Sequence, residues 1–283
     1  PLLLGTAAVL IDRWDADRAV ELLVGERCTH MPGATPFLEQ LLLAARRRGT
    51  RLPDLKVFIC GGASVSPSLI RSAADHFERA VVSRVYGSTE VPVTTIGAPD
   101  DPARAADTDG RPGIAAIRLA PHPAAPDGGE ICARGPQMFL GYLHPEDDAD
   151  AFDTDGWLRT GDLGRLDDGH LVVTGRAKDI IIRNGENIAP KEVEHVLIGH
   201  PDVAEVAVVG LPDPRTGERA CAVIVTRARP APGVAELAEF LTARGMARFK
   251  SPEQVVVWDS LPRNDAGKIL KQQNRARLLD TDQ

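Results

Sequence analysis

Three short stretches carry residue types that could do phosphate chemistry. Pro262-Arg263-Asn264-Asp265-Ala266-Gly267-Lys268-Ile269-Leu270 sets a lysine on a glycine-containing loop. Upstream, Tyr86-Gly87-Ser88-Thr89-Glu90 puts a hydroxyl–carboxylate pair after a glycine, and Arg159-Thr160-Gly161-Asp162-Leu163 reads as an aspartate in a turn. A threonine hydroxyl can hydrogen-bond a phosphate oxygen. A glutamate can hold Mg2+, a hard cation that takes one or two carboxylates plus substrate phosphates. An aspartate offers two acceptor oxygens, enough for both hydroxyls of a ribose. A lysine is a compact cation on a flexible stem, suited to a carboxylate attacking phosphorus and to the pyrophosphate that departs. Together these are the groups needed to hold ATP, its metal and an acyl phosphate. Taken singly, each also has a plain structural reading: a glycine turn with exposed polar residues, an aspartate in a β-turn, a lysine at a helix start.

The elements that must position these residues follow from local pattern. Residues 1–97 read as alternating strand and helix, which implies a mostly parallel sheet. Ala7-Ala8-Val9-Leu10-Ile11 is a short apolar run, and Asp15 can N-cap a helix with Ala19, Leu22 and Leu23 on one face. Leu38, Leu41, Leu42 and Ala45 form a second helical stripe, closed by Arg46-Arg47-Arg48-Gly49. Residues 55–60 predict a strand that runs into Gly61-Gly62-Ala63, where backbone can approach a ligand closely. A plain strand-to-helix turn explains that glycine pair almost as well. Ser66-Pro67 opens a helix, residues 81–85 predict the next strand, and Tyr86–Glu90 follows its end, the usual place for ligands in such sheets. Residues 98–177 are dense in Pro, Gly and Asp with short apolar runs at 114–119, 130–133 and 171–173, which predicts a small antiparallel or barrel-like β unit. Residues 178–283 predict helices at 190–199, 234–244 and 268–279 and strands at 203–209, 219–226 and 254–258. The expected boundary is Arg176-Ala177-Lys178-Asp179.

Composition narrows the function classes. The chain has 283 residues, 43% hydrophobic and 26% charged, long enough for two or three cores. Its net charge of −7 argues against a nucleic-acid binder, which needs a basic footprint. No run approaches the ~18 apolar residues of a membrane span, and Pro1-Leu2-Leu3-Leu4 lacks the basic region and cleavage site of a secretory signal. Cys28, Cys60, Cys132 and Cys221 form no CxxC pair and read as buried free thiols of a cytoplasmic protein. The seven histidines are scattered and suggest no metal cluster. His30 could edge an acyl pocket, although a core or surface histidine is the stronger reading.

The three stretches, in this order, resemble the adenylate-forming enzymes: acyl-CoA synthetases, luciferases and the adenylation domains of peptide synthetases. The resemblance covers nearly the whole chain. It implies Thr89 on phosphate, Glu90 on Mg2+ and Tyr86 against adenine, with Gly87 and Ser88 in the same loop. It also implies adenine and acyl contacts at Gly61, Gly62 and Ala63, ribose contacts at Asp162 and Arg176, and catalysis by Lys268. In Gly175-Arg176-Ala177-Lys178-Asp179 the resemblance makes Lys178 the hinge of a mobile small domain. Gly185 then lies in a hairpin that lines the pantetheine tunnel. The wording from Ile181 to Glu194 looks like the acyl-CoA synthetase branch. The fold implied is α/β: a partial large domain, with an α/β sheet layer (1–97) and a small β-barrel-like unit (98–177), then a small mobile α+β domain (178–283).

The function this implies is ATP-dependent ligation of a carboxylic acid to coenzyme A through an acyl-adenylate, with ATP, Mg2+ and coenzyme A bound and no nucleic-acid partner. A homo-oligomer stays open, and the acid is not readable. The family's Ser/Thr/Gly-rich phosphate loop ending in Pro-Lys-Gly is not found, so the chain is expected to be a C-terminal portion that is inactive alone. Two rivals stand beside this reading: an adenylation domain that loads a carrier-protein thiol, and a non-catalytic fragment that binds adenylate or a partner domain.

Overall fold

The computed structural model describes residues 5–62, 65–97, 101–227, 230–264 and 267–281. They divide into two compact units, one formed by 1–115 with 136–139 and 169–171, the other by 116–135, 140–168 and 172–283.

In the first unit the helix starts obey their local signals. The Asp15 carboxylate accepts from Arg18 N at 2.7 Å and begins α1 (Ala16–Gly25), which buries Ala19, Val20 and Leu23. After β1 (His30–Gly33), α2 (Thr35–Arg47) carries a proline in its first turn and buries Leu38, Leu41, Leu42, Ala44 and Ala45. Gly49 follows in the left-handed region, φ 65°, where a side chain would be strained. After β2 (Val57–Cys60), the Ser66 hydroxyl accepts from Leu69 N and begins α3 (Pro67–His76). Then come β3 (Val81–Tyr86), β4 (Thr95–Ile96), α4 (Pro102–Asp107) and β5 (Arg111–Pro112). Strands β1, β2 and β3 are parallel, with His30 opposite Val57 and Val57 opposite Val81; β4 and β5 add antiparallel. Leu38, Leu41, Phe58, Ile70, Phe77 and Val82 form one buried cluster. Burial in it pushes the Cys60 thiol up to about 11. The apolar run Ala7–Ile11 forms no strand, and Leu10 is 88% exposed.

The second unit holds two sheets. The first runs β6 (Ala116–Ala120), β7 (Gly129–Arg134), β8 (Leu158–Asp167), β9 (His170–Arg176) in that order, with the first two residues of β9 belonging to the other unit. Of the two forms expected for the β-rich segment, the described residues make an open sheet and not a closed barrel: β6 and β9 pair with one neighbour each. α4 also falls in that segment, where no helix was expected. Asp101 and Pro102 are its start signals, the Asp101 carboxylate accepting from Arg104 N at 3.1 Å.

The second sheet is built from β10 (Ile181–Arg183), β11 (Glu186–Ile188), β12 (Val203–Asp213), β13 (Gly217–Thr226) and β14 (Gln254–Val257), in the order β11-β10-β13-β12 with β14 also on β13. Three helices cover it: α5 (Pro190–Leu197), α6 (Val234–Thr242) and α7 (Lys271–Thr281). Successive residues of β12 point to opposite faces. Val206 and Val208 join Val193, Leu197, Leu237 and Leu241 in one cluster, while Ala207, Val209 and Leu211 join Leu261 and Leu278 in the other. Burial on both faces explains why 206–211 is an unbroken apolar run with no alternation. Among the described residues no helix is long and apolar enough to cross a membrane.

One polar residue interrupts this core. Asn274 on α7 is 0% exposed, and no described protein group pairs with either atom of its amide. An unpaired buried polar group costs about 1–3 kcal/mol. Asn274→Leu is therefore expected to stabilise the protein by about that amount, read as a higher urea midpoint at unchanged slope. A lower midpoint would show that the amide is needed where it sits.

Candidate active site

Two groups of candidate residues form in the first unit, both at the C-terminal ends of parallel strands. Gly61 follows β2 and faces the end of β3. A Cβ on Gly61 would lie 2.5 Å from Val85 Cγ1 and 2.9 Å from the Val85 carbonyl oxygen, so no side chain fits. Gly62 has φ 80° with open space around it, and Ala63 lies outside the described residues. The loop after β3 is equally tight. A Cβ on Gly87 would stand 2.6 Å from Val93 N and 2.9 Å from the Val91 oxygen. Ser88 N donates to the Val91 carbonyl at 3.1 Å, Ser88 Oγ accepts from Val91 N at 3.3 Å, and Thr94 Oγ1 donates to the same carbonyl at 2.8 Å. Val93 is held at φ 52°, a strained conformation for a β-branched residue. The clamp leaves Thr89 exposed and Glu90 half-buried, with the Glu90 carbonyl accepting from Phe139 N at 2.8 Å. Tyr86 is half-buried at the strand end. A carboxylate beside an exposed hydroxyl fits the modest protein share of a Mg2+ shell, which is completed by water and phosphate. His30 is exposed on β1, its Nδ1 2.8 Å from Thr29 Oγ1.

In the second unit, Asp162 lies inside β8 and not in a turn as expected. Cys132 pairs with Arg159 and Glu130 with Leu163, so Ile131 alone faces Thr160, Gly161 and Asp162. This bulge bends the strand and re-aims its side chains. Asp162 Oδ1 accepts from Arg176 Nε at 2.7 Å, so the two expected ribose contacts meet each other. Thr160, Gly161, Arg176, Ala177 and Lys178 line a hollow beside them. Lys178 is exposed in a single 3-10 turn, Ala177–Asp179, between the two sheets of the unit.

Gly185 occupies the tip of the β10–β11 hairpin. Asn184 and Gly185 have φ 50° and 81°, the two-residue turn that Asn-Gly favours. Lys268 is exposed and sits before α7, not at the start of a helix over 268–279. The reason is an isolated bridge between Arg263 and Ile269, reinforced by Leu270 N to the Pro262 oxygen at 2.9 Å, which holds this stretch extended. Lys268 N donates to Asn264 Oδ1 at 2.8 Å, and its carbonyl accepts from Asn264 N at 3.0 Å. The backbone is pinned on both sides while the side chain projects; Asp265 and Ala266 of the same motif lie outside the described residues.

One polar residue beside the bulge, Glu130, has no role in the sequence analysis. Glu130, 6% exposed, accepts from Arg159 Nε and Nη2 at 3.1 and 2.7 Å and from Gly161 N at 3.2 Å. These bonds hold the Arg159 guanidinium further toward its charged form. The available signal is a glutamate ahead of the apolar run Ile131-Cys132-Ala133. Elsewhere His200, Asp202 and Glu236 approach within 4.8 Å of one another. However, His200 Nδ1 takes the Asp202 N–H at 3.2 Å and its ring abuts Phe240 at 4.6 Å, the environment of a satisfied core histidine.

The glycine-tight loop at the end of β3 in one unit and the aspartate–arginine pair of the other unit belong to a protein of the mixed α/β class. Residues 1–143 match the family described as AMP-binding enzyme, and residues 192–268 match the AMP-binding enzyme C-terminal domain. The chain belongs to the AMP-binding enzyme family. It is 39% identical to a medium-chain fatty-acid–CoA ligase of Escherichia coli, over 96% of this chain and 49% of that protein. It is 36% identical to the pyochelin synthase PchD of Pseudomonas aeruginosa, over 98% of this chain and 52% of that protein. The fold superposes on ATP-bound MatB from Rhodopseudomonas palustris with a TM-score of 0.86 at 30% identity, covering 97% of this chain and 55% of that one. The chain thus spans about half the length of the curated relatives it matches.

The Gly87 clamp is directly testable. Gly87→Ala forces a methyl group against backbone atoms and is expected to destabilise the protein by about 1–3 kcal/mol. Gly25→Ala, in open space on α1, should change stability by less than about 1 kcal/mol. Equal midpoints in urea unfolding for the two variants would refute the close approach.

Proposed function

We propose that the full-length protein carrying this chain is an acid–thiol ligase that joins a carboxylic acid to coenzyme A in two half-reactions. The observation that carries this reading is Lys268: its backbone is hydrogen-bonded on both sides while its exposed ammonium makes no ion pair among the described residues. Lys250 and Lys271, by contrast, are tied to Glu192 and Glu194 at 2.7 Å. A cation held in position and left uncommitted can serve a charge that develops only during reaction. The coenzyme A ligases among the relatives support the same class.

In the first half-reaction a carboxylate oxygen attacks the α-phosphorus of ATP and the bond to pyrophosphate breaks. Lys268 stabilises the charge gathering on both sides of that phosphorus. Thr89 donates its hydroxyl to a phosphate oxygen. Glu90 holds Mg2+, which when bound neutralises phosphate charge. Tyr86 packs against adenine beside Gly61 and Gly62, and Asp162 accepts the ribose hydroxyls with Arg176 alongside. In the second half-reaction the thiol attacks the acyl carbon and AMP leaves. The body formed by 178–283 turns about Lys178, withdraws Lys268, and brings the Gly185 hairpin to the pantetheine arm. Four cysteines that form no disulfide suit a reducing, cytoplasmic setting.

A second reading is that the thiol acceptor is a carrier protein; the relatives leave room for it, since one of them is a pyochelin synthase and not a coenzyme A ligase by name. Comparing acyl-CoA formation with acyl-carrier formation by the full-length protein separates the two. A bare adenylate-binding role would yield neither product.

The two half-reactions are expected to separate by mutation. Lys268→Ala removes one preorganised charge and should slow pyrophosphate release by roughly 10²–10³-fold, while acyl-CoA formation from supplied acyl-adenylate survives. Gly185→Trp should do the reverse. If both variants lose both half-reactions equally, alternation about Lys178 is wrong. Residues 1–283 assayed alone should release no pyrophosphate above background, because no phosphate loop is among them; robust acid-dependent release would overturn that expectation.

A further inference from the structure

We propose that Glu130 is a positioning residue for the ribose-binding carboxylate: its buried side chain fixes the bulge of β8 that aims Asp162. The inference rests on the reading above that Asp162 accepts the ribose hydroxyls.

The bulge creates a definite problem. Three residues of β8 face one of β7, so the regular ladder cannot pair their backbone groups. Side chains take over. Thr160 Oγ1 donates to the Ile131 carbonyl at 2.7 Å and accepts from Asp162 N at 3.1 Å. Gly161, at φ 68°, sends its N–H to Glu130 Oε1 at 3.2 Å. Glu130 Oε2 receives both Arg159 donors, from the residue just ahead of the bulge. One carboxylate therefore grips the chain at 159 and again at 161, one oxygen for each.

This use differs from that of an ordinary ion pair. The Arg159 side chain is 51% exposed while that of Glu130 is 7% exposed, so the charge interaction alone does not repay burial of the carboxylate. The bond to Gly161 N is what an ion pair would not need. Without it, the left-handed turn at Gly161 leaves an N–H unpaired, and the ladder gains by slipping to regular pairing. A slip of one residue sends a strand side chain to the opposite face. Leu163, 1% exposed, resists that slip from one side. Glu130 resists it from the other. Asp162 is then presented between the bulge and Arg176 on β9.

The test is a binding cycle in the full-length protein with two probes, Mg·ATP and Mg·2′,3′-dideoxy-ATP, by isothermal titration. The dideoxy probe lacks the hydroxyls that Asp162 accepts. Glu130→Leu should weaken ATP binding about 10- to 100-fold, the factor for one charge-assisted hydrogen bond. Its affinity for the dideoxy probe should stay within about twofold of the unmutated protein's. Glu130→Gln keeps an acceptor for Gly161 N and should lose less, with the same selectivity; it also serves if Glu130→Leu does not fold. Asp162→Ala is the benchmark and should show the selective loss in full. Should Asp162→Ala weaken both probes alike or neither, the ribose reading fails and takes this inference with it. If Asp162→Ala is selective and both Glu130 variants lose both probes equally or lose neither, Glu130 is a packing residue and the inference alone falls.

Discussion

Backbone N–H and C=O groups lose their partners wherever a ladder stops or bulges, and a buried one left unpaired costs as much as a lost hydrogen bond. Each candidate reactive residue stands at such a place, and the pairing of the orphaned groups is what holds it. Ser88 closes the loop after β3 by bonding Val91 in both directions, with Thr89 and Glu90 between. Thr160 and Glu130 satisfy the bulge that contains Asp162. Asn264 holds Lys268 by its side chain and its backbone. A rigid scaffold can thus present side chains from loops with little freedom lost on binding.

The charge pattern follows the same logic. Most ion pairs lie on the surface, such as Arg48 with Asp17 and Glu21, where each contributes about 0–1 kcal/mol. The buried charges are fewer and more specific. Glu130 grips two places in one strand. Arg84 lies 3.6 Å from Asp109 with Nε and Nη2 otherwise unpaired, and burial lowers its pKa. Against this background an exposed lysine with a pinned backbone and no counter-ion among the described residues stands out. Its position is determined by hydrogen bonds that leave its charge alone.

How much of this was legible depended on how local each cause is. Asp15 and Ser66-Pro67 act within a few residues, and the helix starts are readable from them, whereas the hairpin at Gly185 comes from the resemblance, though Asn184-Gly185 is a local signal for it. The doubly buried β12 was readable from its unbroken apolar run, although its last residues were not. The turn expected at Asp162 is a bulge within β8, because its cause lies in Glu130 and Ile131, about thirty residues earlier in the chain. The start of α7 differs from expectation for a similar reason: the bridge from Arg263 to Ile269 overrides helix propensity at Lys268. Ala7–Ile11 has strand composition but forms no strand, since propensity without a partner decides little. Glu130 itself escaped because a glutamate in a strand has no meaning until its partners are known.

The proposed turn about Lys178 can be weighed energetically. In this conformation the hydrogen bonds between the C-terminal body and the β6–β9 sheet include Asn187 Nδ2 to the Pro123 carbonyl at 3.3 Å and Lys191 Nζ to the Val173 carbonyl at 2.7 Å. Each contributes about 0.5–1.5 kcal/mol net, and a water molecule can replace either partner when it opens. The hydrophobic clusters of the C-terminal sheet are built from residues after 180, so a turn at 177–179 leaves them intact. The Asp162–Arg176 pair lies wholly on the near side of the turn and is also left intact. Turning the body would therefore break these polar contacts of small net value and leave the two C-terminal clusters whole. That is the condition which the proposed alternation between Lys268 and Gly185 requires.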